Sequence, residues 1–253
     1  MKEAGMGLEG VACPEGGKSF YWSGSYHMDM NGRDTLATEL NVLADFKPVI
    51  PEAWRKSRYV MLGNIDPTLQ ASVLDQMDER PELVVLDTMN FWMDIALEPL
   101  KAVIARVDVL TINDEEARQL SGERSLIKAA RLILNMGPRY LVIKKGEHGA
   151  FLFHVEDGQV QYFFCPALPL EDVVDPTGAG DTFAGGFIGH IARRGSTDFE
   201  TLKQGVVVGS ALASFTCEEF GTDGIRSVST AELEGRIDAF RRMTDWKPQL
   251  VEA

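Results

Sequence analysis

The chain alternates short apolar runs with amphipathic segments from Tyr59 onward, and this alternation constrains its fold more than any other feature. The apolar runs cover residues 59–63, 83–87, 107–111 and 140–144. Each run has the length of a strand, and segments of helical length separate them. Strands that are apolar along their whole length are typical of a parallel sheet covered by helices on both faces. The sequence therefore predicts an α/β fold with a mainly parallel central sheet.

Polar side chains follow the ends of these predicted strands. They are Asn64, Asp66, Asp87, Asn90 and Asn113. Because ligands of such sheets bind at the carboxyl ends of the strands, we expect these residues to lie near a shared cleft.

The section before the alternation is rich in strands and short of helices. Residues 20–24 and 35–42 have strand patterns, and Asn31-Gly32 supplies a turn signal between them. We therefore expect residues 8–48 to form a small β-rich segment outside the main sheet.

Composition limits the classes of partner. The net charge of −13 argues against nucleic acid, because phosphate contacts need clustered Lys and Arg. No run approaches the roughly 18 apolar residues of a membrane span, and no secretion signal is recognisable. The cysteines, Cys13, Cys165 and Cys217, are far apart, which favours buried free thiols in a reducing cytoplasm over disulfides or a zinc site.

The stretch from Val174 to Phe187, Val-Asp-Pro-Thr-Gly-Ala-Gly-Asp-Thr-Phe-Ala-Gly-Gly-Phe, carries the strongest chemical signal. It predicts a strand that ends at Val174, a tight glycine turn, and a helix that begins near Ala179. The N–H groups and the dipole at such a helix start favour negative charge, as on a phosphate. Asp181 then lies where a general base could take a proton from a hydroxyl. The alternative is an ordinary strand-to-helix turn capped by Thr177.

This motif resembles the C-terminal signature of the pfkB-type, or ribokinase-like, carbohydrate kinases. The resemblance implies that Gly178, Ala179 and Gly180 form the anion hole for the transferred phosphoryl group. It also implies that Asp181 deprotonates the substrate hydroxyl.

Two further segments carry the same resemblance. Asn113 and Glu116 match the family's Asn-x-x-Glu motif, which implies that they help to hold magnesium, largely through water. The same pair fits an Asn version of a capping box, and one residue can serve both roles. The strand at 140–144 precedes a Gly-x-x-Gly turn, which implies nucleotide contacts at Lys144 and Gly146. A solvated pair of lysines, Lys144 and Lys145, is the alternative.

The resemblance extends from about Gly7 to Met243 and implies a ribokinase-like three-layer sandwich over residues 1–253. It places residues 8–48 as a β lid over the sugar site and leads us to expect that the usual N-terminal βα segment is missing. The implied activity is transfer of the γ-phosphoryl group of ATP to a hydroxyl of a sugar or nucleoside, with Mg²⁺. The family resemblance also allows for a monovalent cation, a homodimer through the lid strands and a cytoplasmic location. The alternative is a truncated, catalytically impaired protein that binds nucleotides or other proteins.

Overall fold

The computed structural model describes residues 2, 5–30 and 32–245. The chain divides into two compact units, with the division after Tyr140. Asn31, which belongs to the predicted turn, lies outside the described residues.

The first unit begins with a separate antiparallel sheet of two strands, β1 (Tyr21–Tyr26) and β2 (Arg33–Glu39). Their register shifts between Ser23 and Gly24, as at a β-bulge. The predicted strand pair is thus confirmed, although both strands have different bounds from those expected. Trp22 packs within this sheet, since its indole N–H lies 3.3 Å from the Thr35 hydroxyl.

The rest of the first unit alternates strands and helices. Its strands are β3 (Tyr59–Leu62), β4 (Leu83–Asp87) and β5 (Val109–Asn113), and neighbouring strands in this order are parallel. Its helices are α1 (Pro67–Asp75), α2 (Asn90–Ile95), α3 (Leu97–Ile104), α4 (Asp114–Ser121) and α5 (Leu126–Leu134). Every residue of β4 is buried, as its apolar sequence predicts.

The second unit contains a hairpin and four helices. Strand β6 (Tyr140–Lys144) begins at the division, and β7 (Ala150–Glu156) and β8 (Gln159–Cys165) form the antiparallel hairpin. Asp157 and Gly158 join the hairpin strands, both with positive φ, as in a type I′ turn. The helices are α6 (Ala179–Arg194), α7 (Phe199–Cys217), α8 (Asp223–Arg226) and α9 (Thr230–Thr244).

The larger sheet has six strands in the order β3-β4-β5-β6-β7-β8 and is mostly parallel. This topology confirms the predicted α/β fold. No helix in the described part of the chain combines the length and the apolar character that crossing a bilayer would require.

Helices α6 and α7 approach each other at three glycines. A Cβ built on Gly209 would lie 2.6 Å from the Phe183 carbonyl oxygen, and one on Gly186 would lie 3.1 Å from the Gly209 Cα. A Cβ on Gly205 would lie 3.2 Å from the Phe187 carbonyl oxygen. These distances are too short for ordinary side-chain packing, so the two backbones lie in direct contact.

The strand predicted to end at Val174 is absent from the structure. Strand β8 ends at Cys165, and residues 166–178 form neither strand nor helix. Prolines at positions 166, 169 and 176 explain the difference, because proline has no N–H to donate to a sheet.

The cysteine prediction is partly wrong. Cys165 is buried, Cys217 is half-buried and Cys13 is exposed, and all three are free thiols. Cys13 is exposed because the segment before β1 has little to pack against, with every residue from 11 to 20 exposed.

Candidate functional site

The predicted anion hole lies at the N-terminus of α6, where the chain turns through a left-handed glycine. Gly178 occupies the N-cap position with φ +83°, so the N-cap of α6 is not Thr177. Because Gly178 has no side chain, it offers no side-chain acceptor to the N–H groups of the first turn. The Asp175 carboxylate accepts the Thr177 N–H at 2.9 Å, and the Pro176 carbonyl accepts the Ala179 N–H at 3.1 Å. These bonds set the turn upstream of α6, and the helix dipole adds positive potential at its start.

Asp181 lies in the first turn of α6 and is exposed. A carboxylate in this turn complements the helix dipole, and exposure leaves it accessible to a substrate hydroxyl. The structure therefore puts the predicted base and the predicted anion hole on one helical turn.

Lys144 extends from the end of β6 to this same turn. Its ammonium nitrogen is 3.4 Å from the position that a Cβ on Gly180 would take. Lys145 instead places its ammonium 5.6 Å from the ring centroid of Phe151. The two lysines therefore have different surroundings.

Gly146 follows these lysines and opens a short 3₁₀ turn, Gly146–His148. Its φ is +52°, and Gly149, at the end of the turn, has φ +85°. A Cβ on Gly149 would lie 2.1 Å from the Cys165 carbonyl oxygen. The predicted Gly-x-x-Gly turn is therefore present, and the close approach of another backbone explains why its last residue is glycine.

The C-terminal end of α7 contacts both sides of the glycine turn, and our sequence analysis missed this contribution. The Cys217 carbonyl accepts the N–H groups of Val174 at 2.8 Å and Asp175 at 3.3 Å. Thr216 donates its hydroxyl hydrogen to the Thr182 hydroxyl at 3.0 Å. Burial, and then the Asp175 carboxylate, raise the pKa of the Cys217 thiol, so the thiol stays protonated at neutral pH.

In the first unit, Asn113 and Glu116 form the capping box predicted for α4. The Asn113 side-chain oxygen accepts the Glu116 N–H at 2.8 Å, and the Glu116 carboxylate accepts the Asn113 N–H at 2.7 Å. Glu116 is buried, with only 4% of its surface exposed.

These contacts limit how Asn113 and Glu116 could hold a metal ion. One oxygen of each side chain already accepts a backbone N–H. Among the described residues, no group of three or more His, Cys, Asp or Glu side chains could surround a metal. The donor set, one amide and one carboxylate, therefore fits a hydrated Mg²⁺ held through water better than direct coordination.

The other polar residues at the strand ends of the first unit also have protein partners. Asp66 caps α1 by accepting the Thr68 N–H at 2.7 Å, and Asp87 accepts the Thr111 hydroxyl at 2.9 Å. The remaining contacts are Asn64 with Met89 and Trp92, and Asn90 with Gln119. These side chains thus have structural roles that the sequence did not predict.

The mostly parallel sheet, the separate strand pair and the glycine turn before α6 define a ribokinase-like α/β protein. The family itself follows from comparison with family models, since residues 60–228 match the model described as pfkB family carbohydrate kinase. The chain therefore belongs to the pfkB family of carbohydrate kinases, as its motif predicted.

Among curated relatives, the cytidine kinase of Thermococcus kodakarensis is 30% identical over 183 residues, which is 70% of this chain and 63% of the relative. The ATP-dependent 6-phosphofructokinase of Thermoanaerobacterium thermosaccharolyticum is 27% identical over 80% of this chain and 58% of the relative. The chain thus spans less than two thirds of the length of either relative.

Solved structures support the fold. The nucleoside kinase of Burkholderia thailandensis, in complex with inosine, aligns with a TM-score of 0.69 and 19% identity over 98% of this chain and 77% of that chain. The ribokinase of Giardia lamblia aligns with a TM-score of 0.71 and 16% identity over 88% and 73%. Identities this low establish the ribokinase-like fold and nothing finer.

Proposed function

We propose that the protein transfers the γ-phosphoryl group of ATP to a hydroxyl of a sugar or nucleoside. The observation that carries this proposal is the glycine turn before α6, where a helix N-terminus, the Asp181 carboxylate and the Lys144 ammonium lie together. A phosphoryl transfer needs these three components: positive potential for the phosphate oxygens, a base for the attacking hydroxyl and a cation beside the phosphates.

In the proposed reaction, Asp181 accepts the proton of the acceptor hydroxyl as its oxygen attacks the γ-phosphorus. A new P–O bond forms to the acceptor while the bond to ADP breaks, and the two oxygens lie roughly in line. The amides at Gly178, Ala179 and Gly180 stabilise the charge on the transferred group. Lys144 would attract the nucleotide phosphates, and Gly146 would let them pass close to the backbone.

Asn113 and Glu116 are the residues proposed to hold Mg²⁺, through its bound waters. When bound, this ion would neutralise part of the phosphate charge. The capping box keeps both side chains in one conformation, which would orient them toward the hydrated ion.

The test is an Asp181→Asn variant assayed with ATP, Mg²⁺ and a panel of sugars and nucleosides. Loss of a general base should lower kcat by at least about 10²-fold. Nucleosides are the first acceptors to assay, because a cytidine kinase is among the relatives. Asp172→Asn, which changes an exposed carboxylate in the preceding segment, is the control and should keep normal turnover.

Two outcomes would contradict this assignment. Unchanged turnover in Asp181→Asn would remove Asp181 as the base. If ATP and Mg²⁺ raised the melting temperature of the native chain but no acceptor in the panel were phosphorylated, the alternative of a nucleotide-binding protein without catalysis would replace the proposal.

A further inference from the structure

We infer that Thr216 is a positioning residue for the glycine turn before α6. The C-terminal end of α7 holds the glycine turn from both sides. This inference rests on the proposed function, because it assigns the last turn of α7 the task of keeping Asp181 and the anion hole in place. It concerns residues outside the proposed anion hole and other than the proposed base.

The upstream side of the turn is held by a backbone group. The final carbonyls of a helix have no partner inside the helix and need one elsewhere. The Cys217 carbonyl meets this need by accepting the N–H groups of Val174 and Asp175, the two residues that lead into the glycine turn. The end of α7 thereby anchors a segment that has no strand or helix of its own.

The downstream side is held by a pair of hydroxyls. Thr216 is only 2% exposed, and its hydroxyl donates to that of Thr182 across 34 residues of sequence. Thr182 directly follows Asp181, and its N–H bonds to the Gly178 carbonyl at 2.9 Å. The Thr216 hydroxyl is therefore bonded to the residue that directly follows the proposed base.

The end of α7 is itself fixed by α9. The Arg236 guanidinium carbon lies 3.3 Å from the ring centroid of Phe215, and the same side chain donates to the Ser214 hydroxyl and the Glu218 carboxylate. Ser214 and Glu218 flank Thr216 on either side. A guanidinium that stacks on a ring while it bonds a carboxylate holds both groups in place. The C-terminal end of α7, which contacts the glycine turn, is therefore itself held by α9.

A small displacement at this position should affect the rate more than binding. Reacting groups must be held close to the productive geometry, and a shift of about 1 Å can cost up to about 10²-fold in rate. Because Thr216 acts through Thr182, its loss should lower kcat while leaving the KM values for ATP and acceptor nearly unchanged.

The experiment compares Thr216→Val, which removes the hydroxyl but keeps the shape, with Thr216→Ser, which keeps the hydroxyl. We expect Thr216→Val to lower kcat about tenfold, with KM values within about twofold, and Thr216→Ser to stay close to the native enzyme. The matched control is Thr201→Val, a buried threonine at the opposite end of α7, which should leave kcat unchanged.

A second measurement does not depend on turnover. Amide hydrogen exchange in peptides covering residues 175–182 should be faster in Thr216→Val than in Thr201→Val, because one side of the turn is released. Equal exchange in the two variants, or equal kcat, would overturn the inference even if the native chain is active. If the native chain transfers no phosphoryl group at all, the proposed function fails, and the exchange difference alone decides whether Thr216 holds the turn.

Discussion

Helices α4 and α6 begin in opposite ways. At α4 the polar side chains of Asn113 and Glu116 accept backbone N–H groups at the helix start and close it with the protein's own oxygens. At α6 the N-cap is Gly178, which has no side chain to offer, and the ammonium of Lys144 lies close to Gly180 in the first turn. A closed helix start serves stability, whereas a start without a side-chain cap keeps its dipole available to an external anion.

The difference lies in the residue type at one position. Asparagine at an N-cap can accept a first-turn N–H, and it does so in α4. Glycine at the same position can adopt φ +83° at little cost but leaves the first turn without that acceptor. The proposed chemistry of the second unit therefore depends on a missing cap, and three substitutions test this contrast, from the largest expected effect to the smallest.

The largest effect is expected for Gly178→Ala, which forces a side chain into the left-handed region. It should cost about 1 kcal/mol of unfolding free energy. It should also lower kcat by about 10²-fold, because the turn must shift and at least one anion-hole amide moves away from the phosphoryl oxygens. Steady-state kinetics and urea denaturation measure the two quantities.

Gly195→Ala is the control for this substitution. Gly195 ends the same helix with φ +68°, and a Cβ there also meets open space. The two variants should lose similar stability, while only Gly178→Ala loses activity. An equal loss of kcat in both variants would mean that strain, rather than the anion hole, explains the result.

A smaller effect is expected for Lys144→Met, which removes the cation beside Gly180. The KM for ATP should rise about tenfold, since one charge-assisted contact to phosphate is lost while the base remains. Lys145→Met is the matched control, because its ammonium lies over Phe151 instead. A larger rise in KM for Lys145→Met than for Lys144→Met would reverse the assignment of the two lysines.

The smallest effect is expected for Glu116→Gln at the start of α4. Weakening the capping box should cost about 1 kcal/mol of unfolding free energy. If Glu116 also holds hydrated Mg²⁺, the Mg²⁺ concentration for half-maximal activity should rise, because one outer-sphere contact to the ion is weakened. A Mg²⁺ titration of initial rates measures this shift.

The protein contains its own control for this variant. Ser229 and Glu232 form a second capping box, at the start of α9. Hydrogen bonds from the Ser229 hydroxyl and N–H lower the pKa of the Glu232 carboxyl, so that cap is charged at neutral pH. Glu232→Gln should reduce stability in the same direction without changing the Mg²⁺ requirement. If both variants needed more Mg²⁺ for half-maximal activity, the loss of stability, rather than the loss of a contact to the ion, would explain the change.

The sequence predicted the features that depend on local patterns. Apolar runs predicted the buried strands, and the bounds of β4 match the prediction residue for residue. The capping box at Asn113 and Glu116 was also predictable, because both partners lie within one helical turn. The fold class and the family followed from the same patterns and from the motif around Gly178.

Features that depend on distant contacts were not predictable. Val173 and Val174 favour a strand because they are β-branched, yet the N–H groups of Val174 and Asp175 bond to the end of a helix. The Thr216–Thr182 pair gives no signal, since two threonines 34 residues apart meet only when α6 and α7 pack. Local residue preferences describe the first neighbours of a residue but do not reveal which remote segment will cover it.

The contact between α6 and α7 restricts how this protein can evolve. At Gly186, Gly205 and Gly209 even a methyl group would lie too close to atoms of the opposite helix. Substitution of these glycines by almost any other amino acid is therefore expected to be destabilising. On the outer side of α6, Gly189 has open space and is free to vary. Changes that alter the preference for an acceptor are therefore expected in segments away from this contact, because a substitution on either helix must preserve the fit of the other.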